Sequence, residues 1–187
     1  MYSTADFKKN LKILIDNDPY VVVDFQHVKP GKGNQFTRTK LKNMITGSNL
    51  ERTFKSGEKF AVPDVRTRDM SFLYKDESGY NFMDKETYEQ MSIAGDDIGE
   101  NVNYLLENLD VTVLFFNNKP IGVDVPNAVN LTVVETDPGF KGNTVTNVFK
   151  PAKMQTGAVI QVPLHINEGD VVRVDTRTGD YVSRVNE

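Results

Sequence analysis

The run His27-Val28-Lys29-Pro30-Gly31-Lys32-Gly33 combines cations, a ring-locked backbone and glycines in an order suited to delivering one charged side chain. Pro30 fixes its own φ and stiffens the approach. The glycines on either side of Lys32 permit positive φ, so the chain can reverse there and carry the lysine at its tip. Such a lysine is a long, strongly hydrated cation flanked by residues without side chains, and an anionic group is its natural target. An ordinary hairpin with a solvated lysine has the same local signature. A nucleotide-binding P-loop does not, because Gly-Lys would have to be followed by Ser or Thr and a helix, whereas Gly33-Asn34-Gln35-Phe36 leads into a strand.

Just beyond lies Arg38-Thr39-Lys40-Leu41-Lys42, with three bases two residues apart. A strand projects alternate side chains to one face, so all three bases would share it while Thr39 and Leu41 point the other way. A stripe of that kind follows a phosphate backbone, and a solvated β-face has the same pattern. Other chemistry has weaker support. His27 and His165 are the only histidines and there is no cysteine, so a metal site would need both plus carboxylates. Asp76, Glu77 and Asp84, or Asp96 and Asp97, form acidic clusters whose spacing alone does not supply a hydrolytic pair. Phe72, Tyr74, Tyr80 and Phe82 form an aromatic stripe that reads either as barrel core or as a base-stacking platform. Neither an enzyme nor a metal or cofactor site is expected.

Positioning these groups falls to short β-rich runs at residues 11–15, 20–25, 36–44, 72–74, 80–83, 111–116, 129–135, 157–162, 171–175 and 181–184. Turn signals separate them: Asp16-Asn17-Asp18-Pro19, Pro30-Gly31-Lys32-Gly33, Glu77-Ser78-Gly79, Asn117-Asn118-Lys119-Pro120, Asp137-Pro138-Gly139 and Thr178-Gly179. Two segments read as short helices, residues 84–91 with Asp84 as cap, and residues 100–108. Helices this short cannot cross over a parallel sheet repeatedly, so small all-β sandwiches or barrels are expected. Boundaries near Val62-Pro63-Asp64 and Val125-Pro126-Asn127 divide the chain into residues 1–64, 65–127 and 128–187, each about 60 residues, the lower end of what folds alone.

The 187 residues carry 22 Lys plus Arg against 26 Asp plus Glu, with 39% hydrophobic residues, no Cys and no Trp, which excludes a disulfide framework, a thiol nucleophile and a mainly disordered chain. No apolar run approaches the roughly 20 residues of a membrane-spanning helix. The segment Met-Tyr-Ser-Thr-Ala-Asp-Phe-Lys-Lys lacks the apolar core of a secretory signal, so a cytoplasmic protein is expected. Charge is uneven: residues 1–64 hold 11 bases and 7 acids, residues 65–127 hold 5 and 12, and residues 128–187 hold 6 and 7. One end is cationic although the whole is acidic, which suits a nucleic-acid contact there and a basic partner, or mere spacing, in the middle.

At the loop the sequence also resembles a known family. Phe25-Gln26-His27-Val28-Lys29-Pro30-Gly31-Lys32-Gly33, then Phe36 and Arg38-Thr39-Lys40-Leu41-Lys42-Asn43, closely resemble bacterial translation elongation factor P. The likeness continues through Tyr80-Asn81-Phe82-Met83-Asp84, Thr87-Tyr88-Glu89-Gln90, Val134-Glu135-Thr136-Asp137-Pro138-Gly139, Thr156-Gly157-Ala158, Val162-Pro163 and Glu168-Gly169-Asp170. It ends with residues 174–184, so it spans the chain in order.

The resemblance implies an SH3-like (KOW-like) N-terminal barrel followed by two OB-fold barrels, set in an L shape like a tRNA. It implies a factor that binds the 70S ribosome beside P-site peptidyl-tRNA and stimulates peptide-bond formation stalled at consecutive prolines. Lys32 matches the loop lysine that is commonly lengthened by a modifying enzyme and reaches the tRNA's CCA end. Lys29, Pro30, Gly31 and Gly33 would shape that loop, and Arg38, Lys40 and Lys42 would hold tRNA or ribosomal RNA phosphates. Gly142-Asn143-Thr144 matches a loop implied to touch E-site mRNA, a ribosomal protein is a further implied partner, and a monomer is expected.

The sequence departs from the family at Asn34-Gln35, at Asn143 where Asp is usual, and at Asn147-Val148-Phe149 where glycines precede Lys150-Pro151-Ala152. Asn143 retains hydrogen-bonding capacity without charge. A specialised paralogue and a free-standing single-stranded RNA binder are the alternatives.

Overall fold

A computed structural model describes residues 1–139 and 148–186. The N-terminal region pairs β1 (Tyr2–Ser3) with β6 (Lys59–Phe60) and builds a four-stranded antiparallel sheet, in chain order, from β2 (Lys12–Ile15), β3 (Asp18–Val28), β4 (Phe36–Asn43) and β5 (Asn49–Lys55). Alternation decides its faces. In β4, Thr37, Thr39, Leu41 and Asn43 are buried and Arg38, Lys40 and Lys42 are exposed, the pattern expected of a strand with one face on a core. Ile13, Val22 and Leu41 are almost fully enclosed, each contributing about 2 kcal/mol of burial. Phe7, Phe54 and Phe60 close the core, with centroids 4.7 to 6.1 Å apart; Phe54 meets the other two edge-on, and Phe7 and Phe60 are tilted at 39°.

Two five-stranded sheets follow, and they share one topology. The first comprises β7 (Val65–Asp76), β8 (Gly79–Asp84), β9 (Gln90–Ile93), β10 (Asp110–Phe116) and β11 (Lys119–Asp124), ordered β11-β10-β7-β8-β9. The second comprises β12 (Ala128–Thr136), β13 (Phe149–Met154), β14 (Val159–Pro163), β15 (Val171–Asp175) and β16 (Asp180–Arg184), ordered β14-β13-β12-β15-β16. In both, reading from one edge, the strands run fifth, fourth, first, second, third. That is the order of an OB-type barrel, and the all-β expectation holds.

The chain forms two compact units, residues 1–67 with 114–122, and residues 68–113 with 123–187. Within the second, the core around Leu131, Met154, Val162, Ile166 and Val172 also takes in Tyr104, with Leu106, Leu109 and Val125 packed against it. Hydrogen bonds from Thr156 Oγ1 to the Asn103 carbonyl (2.6 Å) and from Thr176 Oγ1 to the Pro126 carbonyl (2.5 Å) reinforce this packing.

Some sequence expectations need correction. Residues 84–91 do not form a helix. Asp84 ends β8, residues 85–89 turn, and β9 pairs back with Met83 opposite Gln90 and Tyr80 opposite Ile93. The Asp84 carboxylate accepts hydrogen bonds from the Glu86 and Thr87 N–H groups (2.8 and 3.1 Å), the same bonds an N-cap makes, so local sequence does not separate the two outcomes. Tyr88 at φ 62° reverses the chain, and burial of Ile93 favours the strand. The helix expected over 100–108 is instead a short α1 (Gly95–Ile98) and a 3-10 turn (Gly99–Tyr104) that ends where Tyr104 and Leu105 turn inward. Of the aromatic stripe, Phe72 and Phe82 are core, Tyr80 is half-buried and Tyr74 is exposed, so no continuous stacking platform forms.

Candidate functional site

The loop of residues 29–35 joins β3 to β4 and is grounded by the register beneath it. Val28 pairs with Phe36, His27 with Thr37 and Gln26 with Arg38. The His27 Nδ1 lies 2.9 Å from Thr37 Oγ1, and its ring meets Phe25 edge-on at 5.3 Å. Phe25 in turn meets Phe7 of the core, 6.4 Å away. The histidine is therefore a strut at the foot of the loop, and among the described residues no cluster of three potential metal ligands forms. Neighbouring Thr39 Oγ1 is buried without a hydrogen-bond partner.

Above this foot Lys29, Gly31, Lys32, Gly33, Asn34 and Gln35 are exposed and Pro30 is half-buried. Of the two glycines only Gly33 takes a positive φ, 107°, so the reversal is made after the lysine rather than on both sides of it. A Cβ at Gly31 would meet nothing within 4 Å, and one at Gly33 would only touch Pro30 Cγ at 4.0 Å. Both glycines flanking the exposed Lys32 thus stand in open surroundings.

Arg38, Lys40 and Lys42 stand on the outward face of the strand that descends from this loop. The Arg38 guanidinium lies 5.7 Å from the centre of the half-exposed Phe36 ring, a cation–π geometry that orients it next to the loop. An exposed cation on a loop tip, continuous with an exposed cationic strand, can hold polyanion backbone and project one side chain past it. The structure thus brings the loop and the stripe together. Residues 142–144 lie outside the described residues.

Asp76 and Asp84 of the acidic clusters are tied up locally. Asp76 accepts hydrogen bonds from the Ser78 hydroxyl (2.6 Å) and N–H (2.9 Å), and the hydroxyl foremost holds its carboxyl below the ordinary range. Asp84 is lowered by the Glu86 and Thr87 N–H groups, and Asp110 by Lys85, whose Nζ is 3.1 Å away. These are turn and cross-strand braces. Sequence reading passed over β5, a polar strand with one fully buried residue, Phe54; it sets Lys55 opposite Phe36 and Glu51 opposite Lys40.

Comparison with known proteins gives consistent matches along the chain. Residues 3–60 match the elongation factor P KOW-like domain, residues 65–123 the elongation factor P OB domain, and residues 129–184 the elongation factor P C-terminal domain. Elongation factor P of Bdellovibrio bacteriovorus is 64% identical over 187 residues, covering 100% of both chains. That of Moorella thermoacetica is 53% identical over 184 residues, 98% of this chain and 100% of the relative. Among solved structures, eukaryotic translation initiation factor 5A from Methanococcus jannaschii superposes with a TM-score of 0.54 at 21% identity, over 67% of this chain and 90% of that one, a likeness of fold.

Proposed function

The chain belongs to the elongation factor P family, a family of translation factors, and on that premise we propose that it binds the 70S ribosome beside P-site peptidyl-tRNA and stimulates peptide-bond formation where consecutive prolines stall it. The observation that carries this reading is Lys32, exposed on a loop between glycines in open surroundings and continuous with a cationic strand.

Proline is a constrained donor and nucleophile, so what a stalled ribosome lacks is reacting geometry rather than a chemical group. A rigid barrel held on the tRNA removes unproductive orientations, and Lys32 extends a cation toward the CCA end. Arg38 and Lys42, the outer two of the three stripe cations, hold phosphates, which fixes position without reading sequence. A modifying enzyme that lengthens Lys32 extends that reach, residues 142–144 contact E-site mRNA, and the acidic middle region meets a basic ribosomal protein. The factor works in the cytoplasm as a monomer, with no cofactor and no bond-making group of its own.

Lys32→Ala tests this. Because the residue is exposed, stability should stay within about 0.5 kcal/mol of the parent, while synthesis through a triple-proline stretch slows and a proline-free message is translated at nearly the parental rate. Equal rates on the triple-proline message, with the parent in its native modified state, would show that Lys32 is not the active element. Tight binding to isolated oligonucleotides and none to ribosomes would instead favour a free-standing RNA binder.

A further inference from the structure

The three cations of the β4 stripe are not equivalent, because each faces different cross-strand neighbours. On the outward face Lys42 lies between Val21 of β3 and Asn49 of β5, and Arg38 lies between Gln26 and Thr53. The row of Arg38 carries one positive charge and that of Lys42 carries two, because Lys12 of β2 pairs with Val21. Lys40 lies between Asp24 and Glu51, so its row carries a net negative charge. Directly paired side chains in antiparallel strands have Cβ atoms about 4.5–5.5 Å apart, well within the reach of a lysine. Lys40 and Glu51 also line one shallow groove of about 440 Å³. The next row toward the loop pairs Val28, Phe36 and Lys55, and adds a cation beside the ring on which Arg38 rests. Glu58, across the turn, accepts a hydrogen bond from the backbone N–H of Lys55 (3.2 Å).

A bulge creates this arrangement. Val22 opposes Leu41 and Asp24 opposes Lys40, so Val23 is the extra residue; regular pairing of the same sequence would set Val23 itself opposite Lys40.

We infer that the RNA-facing surface is a two-point grip for sugar–phosphate backbone, Arg38 with Lys55 at the loop end and Lys42 at the other, separated by a Lys40 that stands in register between the carboxylates of Asp24 and Glu51. This rests on the ribosome-binding reading above. Arg38 and Lys42 are four residues apart along a strand, about 13 Å, and so engage separate phosphates. A phosphate approaching Lys40 meets two carboxylates as well, which offsets the attraction and limits affinity. Lys55 thereby joins the binding residues, and Asp24 and Glu51 set how tightly the face holds.

The test is equilibrium binding of the full-length protein to ribosomes carrying peptidyl-tRNA in the P site, over a series of salt concentrations. Arg38→Ala, Lys42→Ala and Lys55→Ala should each lower the slope of log affinity against log salt by about 0.7–0.9, whereas Lys40→Ala leaves it nearly unchanged. Glu51→Gln and Asp24→Asn should each tighten binding several-fold at low salt. All these side chains are exposed, so folding is not at stake. A slope change for Lys40→Ala equal to that for Arg38→Ala, an unchanged slope for Lys55→Ala, or unaltered affinity in both carboxylate variants would overturn the two-point grip while leaving ribosome binding intact. Unchanged slopes in all four cation variants would overturn the grip and any phosphate role of this face, whereas failure of the parent protein to bind these ribosomes would overturn the reading on which the grip rests.

Discussion

Gly33 holds a φ of 107° in open surroundings, whereas Gly31, one residue before Lys32, has ordinary backbone and equally open surroundings. Gly31→Ala should therefore be neutral or stabilise by about 0.4–1 kcal/mol, since the new methyl meets nothing and the unfolded chain loses freedom. Gly33→Ala should cost about 1 kcal/mol, because an L-residue at that φ is strained. Urea denaturation of the two variants separates these outcomes, and equal effects would mean that the loop relaxes around either substitution. The composition of the loop, the charge of its tip and the exposure of Arg38, Lys40 and Lys42 were all legible from residue types and spacing. The division of labour between the two glycines was not, since both residues are compatible with positive φ and only the folded path selects one.

At the scale of the element, the β8–β9 hairpin is held by a carboxylate and closed by a left-handed tyrosine. Hydrogen bonds from the Glu86 and Thr87 N–H groups favour the charged form of Asp84, with a smaller contribution from Arg68. Its folded-state pKa is thus below the unfolded value of about 3.9. The unfolded chain binds more protons in that window, so the stabilisation is complete above about pH 4 and is lost as pH falls through the lower folded value. Asp84→Asn should flatten this part of the acid-unfolding profile while leaving its neutral-pH limb sloping as before. Tyr88 is 70% exposed at φ 62°, so Tyr88→Gly gives up little burial and relieves the left-handed conformation. A gain in stability of up to about 1 kcal/mol is expected, read from the same denaturation curves. This hairpin was misread as a helix because an N-cap and an Asx-turn offer the backbone the same two bonds. β5 was missed because its residues are mostly polar, and what makes them a strand is the pairing offered by β4.

For the whole molecule, the packing of Tyr104 into the core of the β12–β16 barrel couples that barrel to the strands before it within the unit of residues 68–113 and 123–187. Burial foremost, and then the negative charges of Glu100, Asp175 and Asp180, push the Tyr104 phenol up, so it stays neutral and packs as an aromatic. Tyr104→Ala should cost about 3 kcal/mol and lower protection against hydrogen exchange in β8 and in β13 together. Loss confined to one of the two strands would show that the barrels open independently. What the sequence by itself determined is whatever depends on chain neighbours: the alternation of β4, the chemistry of the loop, the turn signals, the uneven charge and a family likeness running from end to end. The tertiary structure alone decided which strands meet and in what register. A bulge at Val23 brings Asp24 into register with Lys40; a ladder to Ile93 turns a capped helix into a hairpin; and a partner barrel gives Tyr104 its place. Each of these follows from contacts between residues distant along the chain, where local preferences of a few tenths of a kcal/mol are outweighed by the pairing and burial that the fold supplies.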